Sequence, residues 1–195
     1  MKLRRASQQI VALGRELWER RLVMGSSGNL SVRLDDDRLL FTPAGACLRN
    51  LSTSNLVVTD LAGTALDPSL RPTSEFLLHV AAYRTRPDVF AVVHTHPTFC
   101  VVWSKGSSVL PRDTVGAQET LRDVALTPYR PAGSLALAEE VAAALRRGID
   151  NVLMERHGFT AVSATLENAF VQTDLAEEAA RIAYVSRLAG FASGD

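Results

Sequence analysis

The chain has 195 residues, the usual length of one domain, and we expect a single domain over residues 1–195. Its 21 Lys and Arg residues balance 21 Asp and Glu residues, and this zero net charge argues against a general attraction to nucleic acid or to a membrane surface. No run reaches the roughly 18 apolar residues of a membrane helix, and no apolar segment follows the basic start as in a secretory signal. We therefore expect a cytoplasmic protein in which Cys47 and Cys100 are reduced.

Apolar periodicity places helices and strands along the first half of the chain. The predicted elements are a helix over residues 10–23, strands over 30–34, 39–41 and 56–59, and a helix over 74–83. Three consecutive aspartates at positions 35–37 are typical of a solvated hairpin tip between the first two strands. Thr73 or Ser74 is the expected N-cap of the second helix.

The second half of the chain continues this pattern. Its predicted elements are a strand over 89–94, a helix opened by Pro97, a strand over 124–126, a helix from a Ser134 cap to residue 147, strands over 152–155 and 160–163, and a helix over 166–188. Strands that alternate with helices predict an α/β sandwich in which helices cover both sides of a central sheet.

Two of the four histidines follow an apolar strand, in the tripeptide His94-Thr95-His96. Side chains alternate along a strand, so residues two apart lie on the same side. Two imidazoles on one side can chelate a transition metal, but a metal-free pair of histidines at a strand end fits the tripeptide at least as well. The pair alone leaves both alternatives open.

Three further segments offer hydroxyl and backbone N–H groups that could bind an anion. Residues 25–29 place two glycines around two serines, which fits an anion loop or an ordinary helix end and turn. Residues 42–45 form a turn after a strand. Residues 72–75 enter a helix whose N-terminus either binds a ligand or is simply capped.

The remaining histidines and one glutamate extend the possible metal site. Glu75 lies one helical turn before His79, so the two could form a metal pair, but we favour a structural histidine beneath the sheet. His157 and Gly158 follow a strand at a sharp reversal, where a histidine is either a ligand or a loop residue. Three histidines with a fourth position open would form a catalytic metal site, because structural zinc sites fill all four positions with protein.

Taken together, these segments resemble the class II aldolase/adducin family over residues 14–188. The motifs that carry the resemblance are G-x-x-G-N, T-P-x-G, P-T-S-E, H-x-H and H-G, in this order and at these separations. The resemblance implies an α/β/α sandwich with a central mixed, mainly antiparallel sheet. It also implies a homotetramer with sites at the subunit interfaces.

The resemblance further implies the roles of individual residues. His94, His96 and His157 would bind Zn²⁺, with Mn²⁺, Co²⁺ or Ni²⁺ as alternatives, and Glu75 would complete the coordination and then act as the base. The substrate phosphate would be bound by residues of the three anion-binding segments: Ser26, Gly28, Asn29, Thr42, Gly45, Thr73 and Ser74.

The implied activity is that of a lyase acting on a phosphorylated ketose or sugar acid through a metal-stabilised enediolate. Two departures argue against fuculose 1-phosphate as the substrate: Ala44 replaces a hydroxyl residue, and residues 110–115 contain no tyrosine. A non-catalytic scaffold like the adducin head domain is the alternative from another class. The complete set of histidines together with Glu75 favours the enzyme.

Three other residues connect the chain to different branches of the family. Glu119 falls near the position of a catalytic glutamate in methylthioribulose-1-phosphate dehydratases, although we favour a solvated glutamate. The segment around Tyr129 and Arg130 resembles the 3-oxo-tetronate 4-phosphate decarboxylase branch. In that branch the two side chains would line the site and contact a carboxylate.

Overall fold

A computed structural model describes residues 3–106 and 109–191 of the chain. Within these ranges the helices are α1 (Leu3–Glu19), α2 (Phe76–Thr85), α3 (Thr98–Ser104), α4 (Val115–Thr120), α5 (Leu135–Arg146) and α6 (Leu166–Leu188), with a 3₁₀ turn at Leu48–Asn50. The strands are β1 (Asn29–Arg33), β2 (Arg38–Phe41), β3 (Val57–Asp60), β4 (Ala91–Thr95), β5 (Val124–Thr127), β6 (Asn151–Met154) and β7 (Gly158–Ser163).

The seven strands form one sheet in the order β3-β2-β1-β4-β7-β6-β5. β5 and β6 run parallel, and the other neighbouring pairs run antiparallel. The prediction of a mixed, mainly antiparallel sheet is therefore confirmed. β4 lies at the centre of the sheet, which explains its unbroken apolar sequence before His94, because a strand covered on both faces needs no polar alternation.

Helices cover both faces of the sheet and give it two hydrophobic cores. On one face, α1, α3, α4 and α6 pack against side chains such as Val93 and Ala161. On the other face, α2 and α5 pack against side chains such as Val92 and Val162. The predicted α/β/α sandwich is confirmed. No helix in the described parts of the chain is long and apolar enough to cross a membrane.

Several element boundaries differ from the predictions. α1 begins earlier than the predicted helix over 10–23, because its first turns are mostly polar and show no apolar period. It also ends earlier, at Glu19. α2 begins at Phe76, so Thr73 and Ser74 are not its N-cap. Glu75 is the N-cap residue but makes no side-chain capping bond, because its carboxylate faces His94 and His157. Pro97 precedes α3 as its N-cap residue, whereas the predicted Ser134 cap of α5 is confirmed by its bond to the Leu137 N–H.

Candidate metal centre

One end of the sheet collects the segments that the sequence singled out. β4 ends there, and β1 begins there because it runs antiparallel to β4, with Asn29 opposite His94. β6 also ends at this edge and turns into β7. The Thr73 N–H donates to the Thr42 carbonyl over 3.0 Å, which fixes the start of α2 beside the end of β2.

Four side chains converge at this edge: Glu75, His94, His96 and His157. One ligand atom from each lies within 4.8 Å of the others. The Nε2 atoms of His94 and His96 are 2.9 Å apart. Glu75 Oε2 lies 2.9 Å from His94 Nε2, and Glu75 Oε1 lies 3.1 Å from His157 Nε2. The sequence-predicted ligand set is therefore assembled in space, although its members come from three separate stretches of the chain.

The chemistry of this cluster fits a divalent metal ion. Glu75 Oε1 and His157 Nε2 are close but form no hydrogen bond, and both atoms, like His157 Nδ1, are buried without a hydrogen-bond partner among the described residues. Buried polar atoms are normally paired, because an unpaired one costs the free energy of its lost hydration. A cation bound between the four side chains would satisfy Oε1 and one His157 nitrogen. Three imidazoles and a carboxylate are ligands that zinc commonly takes.

The ring of His94 is held in place from behind. Its Nδ1 lies 3.2 Å from the Phe159 carbonyl oxygen and 3.0 Å from Thr160 Oγ1, both on the neighbouring strand β7. An N–H at Nδ1 that donates to these acceptors leaves a lone pair on Nε2, which faces the cluster. Metal-binding histidines are usually oriented in this way by a second hydrogen bond.

His157 is positioned by a tight turn between β6 and β7. The His157 N–H donates to the Met154 carbonyl over 3.1 Å, and Arg156 within the turn has a φ of 56°. Gly158 then lies so close to β4 that an added Cβ would be 2.2 Å from the Thr95 carbonyl oxygen and 2.9 Å from His96 Cδ2. The glycine of the H-G motif is therefore required for the two histidine-bearing segments to approach each other.

We expect Gly158→Ala to weaken metal binding and to destabilise the protein by about 1–3 kcal/mol, because the new methyl group must push β7 away from β4. Metal titration and urea unfolding measure the two effects. Gly116→Ala on α4 is the matched control, because an added Cβ there comes no closer than 3.6 Å, to Leu175. Unchanged metal affinity in Gly158→Ala would show that the close approach does not shape the site.

The protonation states of the cluster suit metal binding. Burial raises the pKa of the Glu75 carboxyl, but the nearby His94 and His157 imidazoles outweigh burial and bring the pKa below its ordinary value. Burial, together with His94 and His157, lowers the pKa of His96 to about 3. The carboxylate is therefore charged and His96 is neutral at neutral pH, which are the states that a metal requires.

His79 lies outside this cluster. It is fully buried beneath the sheet, with Nε2 2.5 Å from Asn29 Oδ1 and Nδ1 2.7 Å from Ser31 Oγ. Both ring nitrogens are thus used within the protein interior. The prediction of a structural histidine is confirmed, and the alternative of a metal pair between Glu75 and His79 is wrong.

The buried His79 predicts a pH-dependent stability. Burial lowers its folded-state pKa from 6.5 to about 3, so between these values the unfolded chain binds the extra proton. The contribution of His79 is therefore complete above pH 6.5 and is lost as the pH falls toward 3, by up to about 1.4 kcal/mol per pH unit. Urea unfolding of the metal-free protein at several pH values measures this slope. We expect His79→Gln to lower this slope by the equivalent of about one proton. Equal slopes in the wild type and the variant would contradict the low pKa of His79.

The predicted phosphate-binding segments also meet at this edge, but two of their side chains are engaged within the protein. The Ala44 N–H donates over 3.0 Å to the carbonyl of Arg71, the residue just before the third segment, which holds the second and third segments together. The buried Thr42 hydroxyl contacts the backbone of Leu30, 3.2 Å from its N atom. Thr73 Oγ1 accepts a bond from the Glu75 N–H over 3.3 Å.

The Asn29 side chain is also engaged, in contacts that sequence reasoning missed. Its Nδ2 donates to Glu75 Oε2 over 3.2 Å, and its Oδ1 faces His79. Gly28, with a φ of 77°, packs against the His94 carbonyl. Predicted anion-binding residues that remain exposed or open are Ser26, Gly45 and Ser74.

The decarboxylase-like segment lies on the rim of this edge. An added Cβ at Gly133 would meet the Ser74 carbonyl at 2.7 Å, so the loop packs against the start of α2. The Tyr129 ring lies under the Arg156 guanidinium, whose carbon is 4.4 Å from the ring centroid. The Arg130 guanidinium binds the Glu140 carboxylate of the same chain over 2.6 Å.

Glu119 is not brought to the metal-binding cluster. It is exposed on α4 and lines a surface pocket with Asp150 and Ser163. Ser163 lies opposite Ala91, at the other end of β4 from the histidines. Within one chain, Glu119 is therefore a solvated glutamate, the interpretation that the sequence favours over a dehydratase-like role.

Comparisons with known proteins identify related sequences and structures. The family described as Class II Aldolase and Adducin N-terminal domain matches residues 8–184. An L-fuculose phosphate aldolase of Methanococcus maripaludis is 33% identical over 87% of this chain and 91% of its own length. A 3-oxo-tetronate 4-phosphate decarboxylase of Haemophilus influenzae is 33% identical over 89% of this chain and 84% of its own length. The structure of the L-fuculose-1-phosphate aldolase from Thermus thermophilus has a TM-score of 0.87 at 26% identity, covering 98% of both chains.

Proposed function

The chain belongs to the class II aldolase and adducin family, and from that premise we propose that it is a metal-dependent lyase that cleaves a phosphorylated ketose or sugar acid. The observation that carries the proposal is the convergence of Glu75, His94, His96 and His157 at one edge of the sheet. A scaffold that lacks catalysis has no need for this buried and incompletely paired group. The set therefore favours an enzyme over an adducin-like scaffold.

The four side chains divide the chemistry between binding and proton transfer. His94, His96 and His157 would hold the metal, with Glu75 as a further ligand in the resting site. A divalent ion held there would supply a Lewis acid for the substrate carbonyl and for the negative charge that develops on it. Glu75 is charged at neutral pH and supplies the carboxylate of this cluster, so it is the group that accepts and returns the proton.

We propose Zn²⁺ as the metal, with Mn²⁺, Co²⁺ or Ni²⁺ as alternatives that imidazole and carboxylate ligands accept. The substrate phosphate would be bound beside the metal by the three loop segments. The exposed hydroxyls of Ser26 and Ser74 and the open backbone at Gly45 would contact the phosphate directly. The buried members of the set would hold the loops in shape. The full proposed set is Ser26, Gly28, Asn29, Thr42, Gly45, Thr73 and Ser74.

A decarboxylase acting on a 3-oxo-tetronate 4-phosphate is the second candidate. The relative from Haemophilus influenzae with that name is as similar in sequence as the aldolase from Methanococcus maripaludis, at 33% identity. The loop that carries Tyr129 also packs against Ser74, at the rim of the site. Loss of carbon dioxide and aldol cleavage would both leave an enediolate, so one metal site serves either reaction.

We also propose that the protein is a cytoplasmic homotetramer. Apolar side chains on the outer face of α6 support an association between copies, since Val185 is 53% exposed and Leu188 is 72% exposed. Light scattering on the purified protein measures the oligomeric state. A monomer at micromolar concentration would contradict this part of the proposal.

Metal analysis and a product screen test the function. The purified chain is reconstituted with each divalent metal, and bound metal is counted per chain. The loaded protein is then incubated with phosphorylated ketoses and sugar acids, and release of dihydroxyacetone phosphate, release of carbon dioxide and dehydration are followed separately. We expect one metal per chain and one of the first two products. If the protein shows no metal binding and no turnover, a non-catalytic scaffold becomes the better account.

A further inference from the structure

A row of hydrogen bonds runs from Glu75 into the protein interior. Asn29 Nδ2 lies 3.2 Å from Glu75 Oε2, and Asn29 Oδ1 lies 2.5 Å from His79 Nε2. On the other side of the imidazole, His79 Nδ1 lies 2.7 Å from Ser31 Oγ, which lies 2.7 Å from the Tyr83 hydroxyl. None of the five residues is more than 6% exposed, so the row is shielded from solvent.

The chemistry of these groups gives the row a single direction. The Glu75 carboxylate can only accept, so Asn29 must turn its NH₂ toward Glu75 and its Oδ1 toward His79. His79 Nε2 must then carry a hydrogen. Since burial lowers the pKa of His79 to about 3, the ring is neutral and Nδ1 accepts.

Because His79 Nδ1 accepts a hydrogen bond, it determines the direction of the two bonds farthest from Glu75. Ser31 must donate its hydroxyl hydrogen to His79, which leaves the Ser31 oxygen free to accept from Tyr83. Each donor therefore points toward Glu75. Reversing the His79 tautomer would turn the Asn29 amide over and place its oxygen against the carboxylate.

We propose that His79 is a positioning residue for Glu75, and that its Nε2–H tautomer acts through the Asn29 amide. The bond from Asn29 holds Oε2 beside His94, which leaves Oε1 directed at His157. His79 thus fixes the orientation of the carboxylate without touching the metal-binding cluster. The metal-ligand role of Glu75 rests on the proposed function, whereas the tautomer and the amide orientation do not.

The tautomer can be measured in the metal-free wild-type protein. Long-range ¹H–¹⁵N NMR of protein labelled in its four histidines distinguishes a hydrogen on Nε2 from one on Nδ1. We expect His79 to be the neutral Nε2–H form at neutral pH, with its signals assigned by their absence in His79→Gln. A hydrogen on Nδ1, or rapid averaging between the two tautomers, would overturn the inference whether or not the protein is a lyase.

Two substitutions at His79 test its action on the metal site, with Co²⁺ as the probe. The glutamine amide in His79→Gln can donate from the place of Nε2, so we expect Co²⁺ affinity close to wild type. His79→Leu keeps the bulk but has no donor, and we expect affinity to fall about 10- to 100-fold, as for other lost outer contacts of metal ligands. A folded His79→Gln variant with affinity as low as His79→Leu would contradict the proposal.

Tyr83→Phe separates positioning from packing. It removes the outermost hydroxyl but leaves Ser31 able to donate to His79, so Co²⁺ affinity should change less than about 3-fold even if the melting temperature falls. A loss of affinity as large as in His79→Leu would show that the row acts only through stability. If wild-type protein binds no Co²⁺, the proposed function fails, and the NMR result still decides whether His79 orients the amide.

Discussion

With metal supplied well above its Kd, Glu75→Gln still binds the metal but lowers turnover by about 100- to 10,000-fold, the usual contribution of a positioned acid–base group. The amide keeps the size of the side chain and one oxygen ligand, but it cannot accept a proton at neutral pH. Glu75 is the only carboxylate in the cluster of possible ligands among the described residues, so no neighbour replaces it. Steady-state kinetics, with metal counted in the same sample, measures both parts of the result.

Glu139→Gln is the matched control, because Glu139 is an exposed glutamate on α5. Its turnover should equal that of the wild type. Full activity in Glu75→Gln would remove this residue from the role of base. Loss of activity in Glu119→Gln would instead indicate that another copy of the chain supplies a catalytic glutamate, as in the dehydratase alternative.

The fold could be read from the sequence where the apolar pattern was long or unbroken. The central strand β4 and the 23-residue helix α6 were placed within two residues of their observed bounds. The short helix α4 was missed, because its six residues include one buried side chain, Ala117, and no period can be seen in so short a segment. The start of α1 was missed because its first turns are mostly polar.

The metal ligands were predicted from residue types and motif order, but their convergence was not. His94 and His96 share a side of one segment, which spacing alone establishes. The approach of His157 depends on the pairing of β4 with β7 and on Gly158, which lets the strands come close. Such long-range pairing has no signal in a single sequence.

The hydrogen-bonded row behind Glu75 could not be predicted from the sequence motifs. The motif predicts phosphate binding for Asn29 but gives no sign of its side-chain contacts with Glu75 and His79, 46 and 50 positions away. A polar residue between a loop and a strand has the same local pattern in both cases. Two weaker signals were present: Ser31 interrupts an apolar strand two positions after Asn29, and Tyr83 lies one helical turn after His79.

His157→Ala lowers the affinity for Zn²⁺ by more than about 100-fold, because loss of a direct ligand exceeds the 10- to 100-fold cost of losing an outer contact. Thermal or urea unfolding reports the change independently of catalysis. Free Zn²⁺ at 100 times the wild-type Kd stabilises the folded wild type by about 2.7 kcal/mol. A 100-fold weaker site gains only about 0.4 kcal/mol at the same concentration.

His157→Cys distinguishes a lost ligand from a distorted turn. A thiolate binds zinc well but suits manganese poorly, so Zn²⁺ binding should recover in this variant while Mn²⁺ binding should not. A variant in which the turn between β6 and β7 is distorted would recover binding of neither metal, because the distorted backbone impairs binding of both. One equivalent of Zn²⁺ bound to His157→Ala with wild-type affinity would remove His157 from the ligand set. The site would then depend on Glu75, His94 and His96 alone.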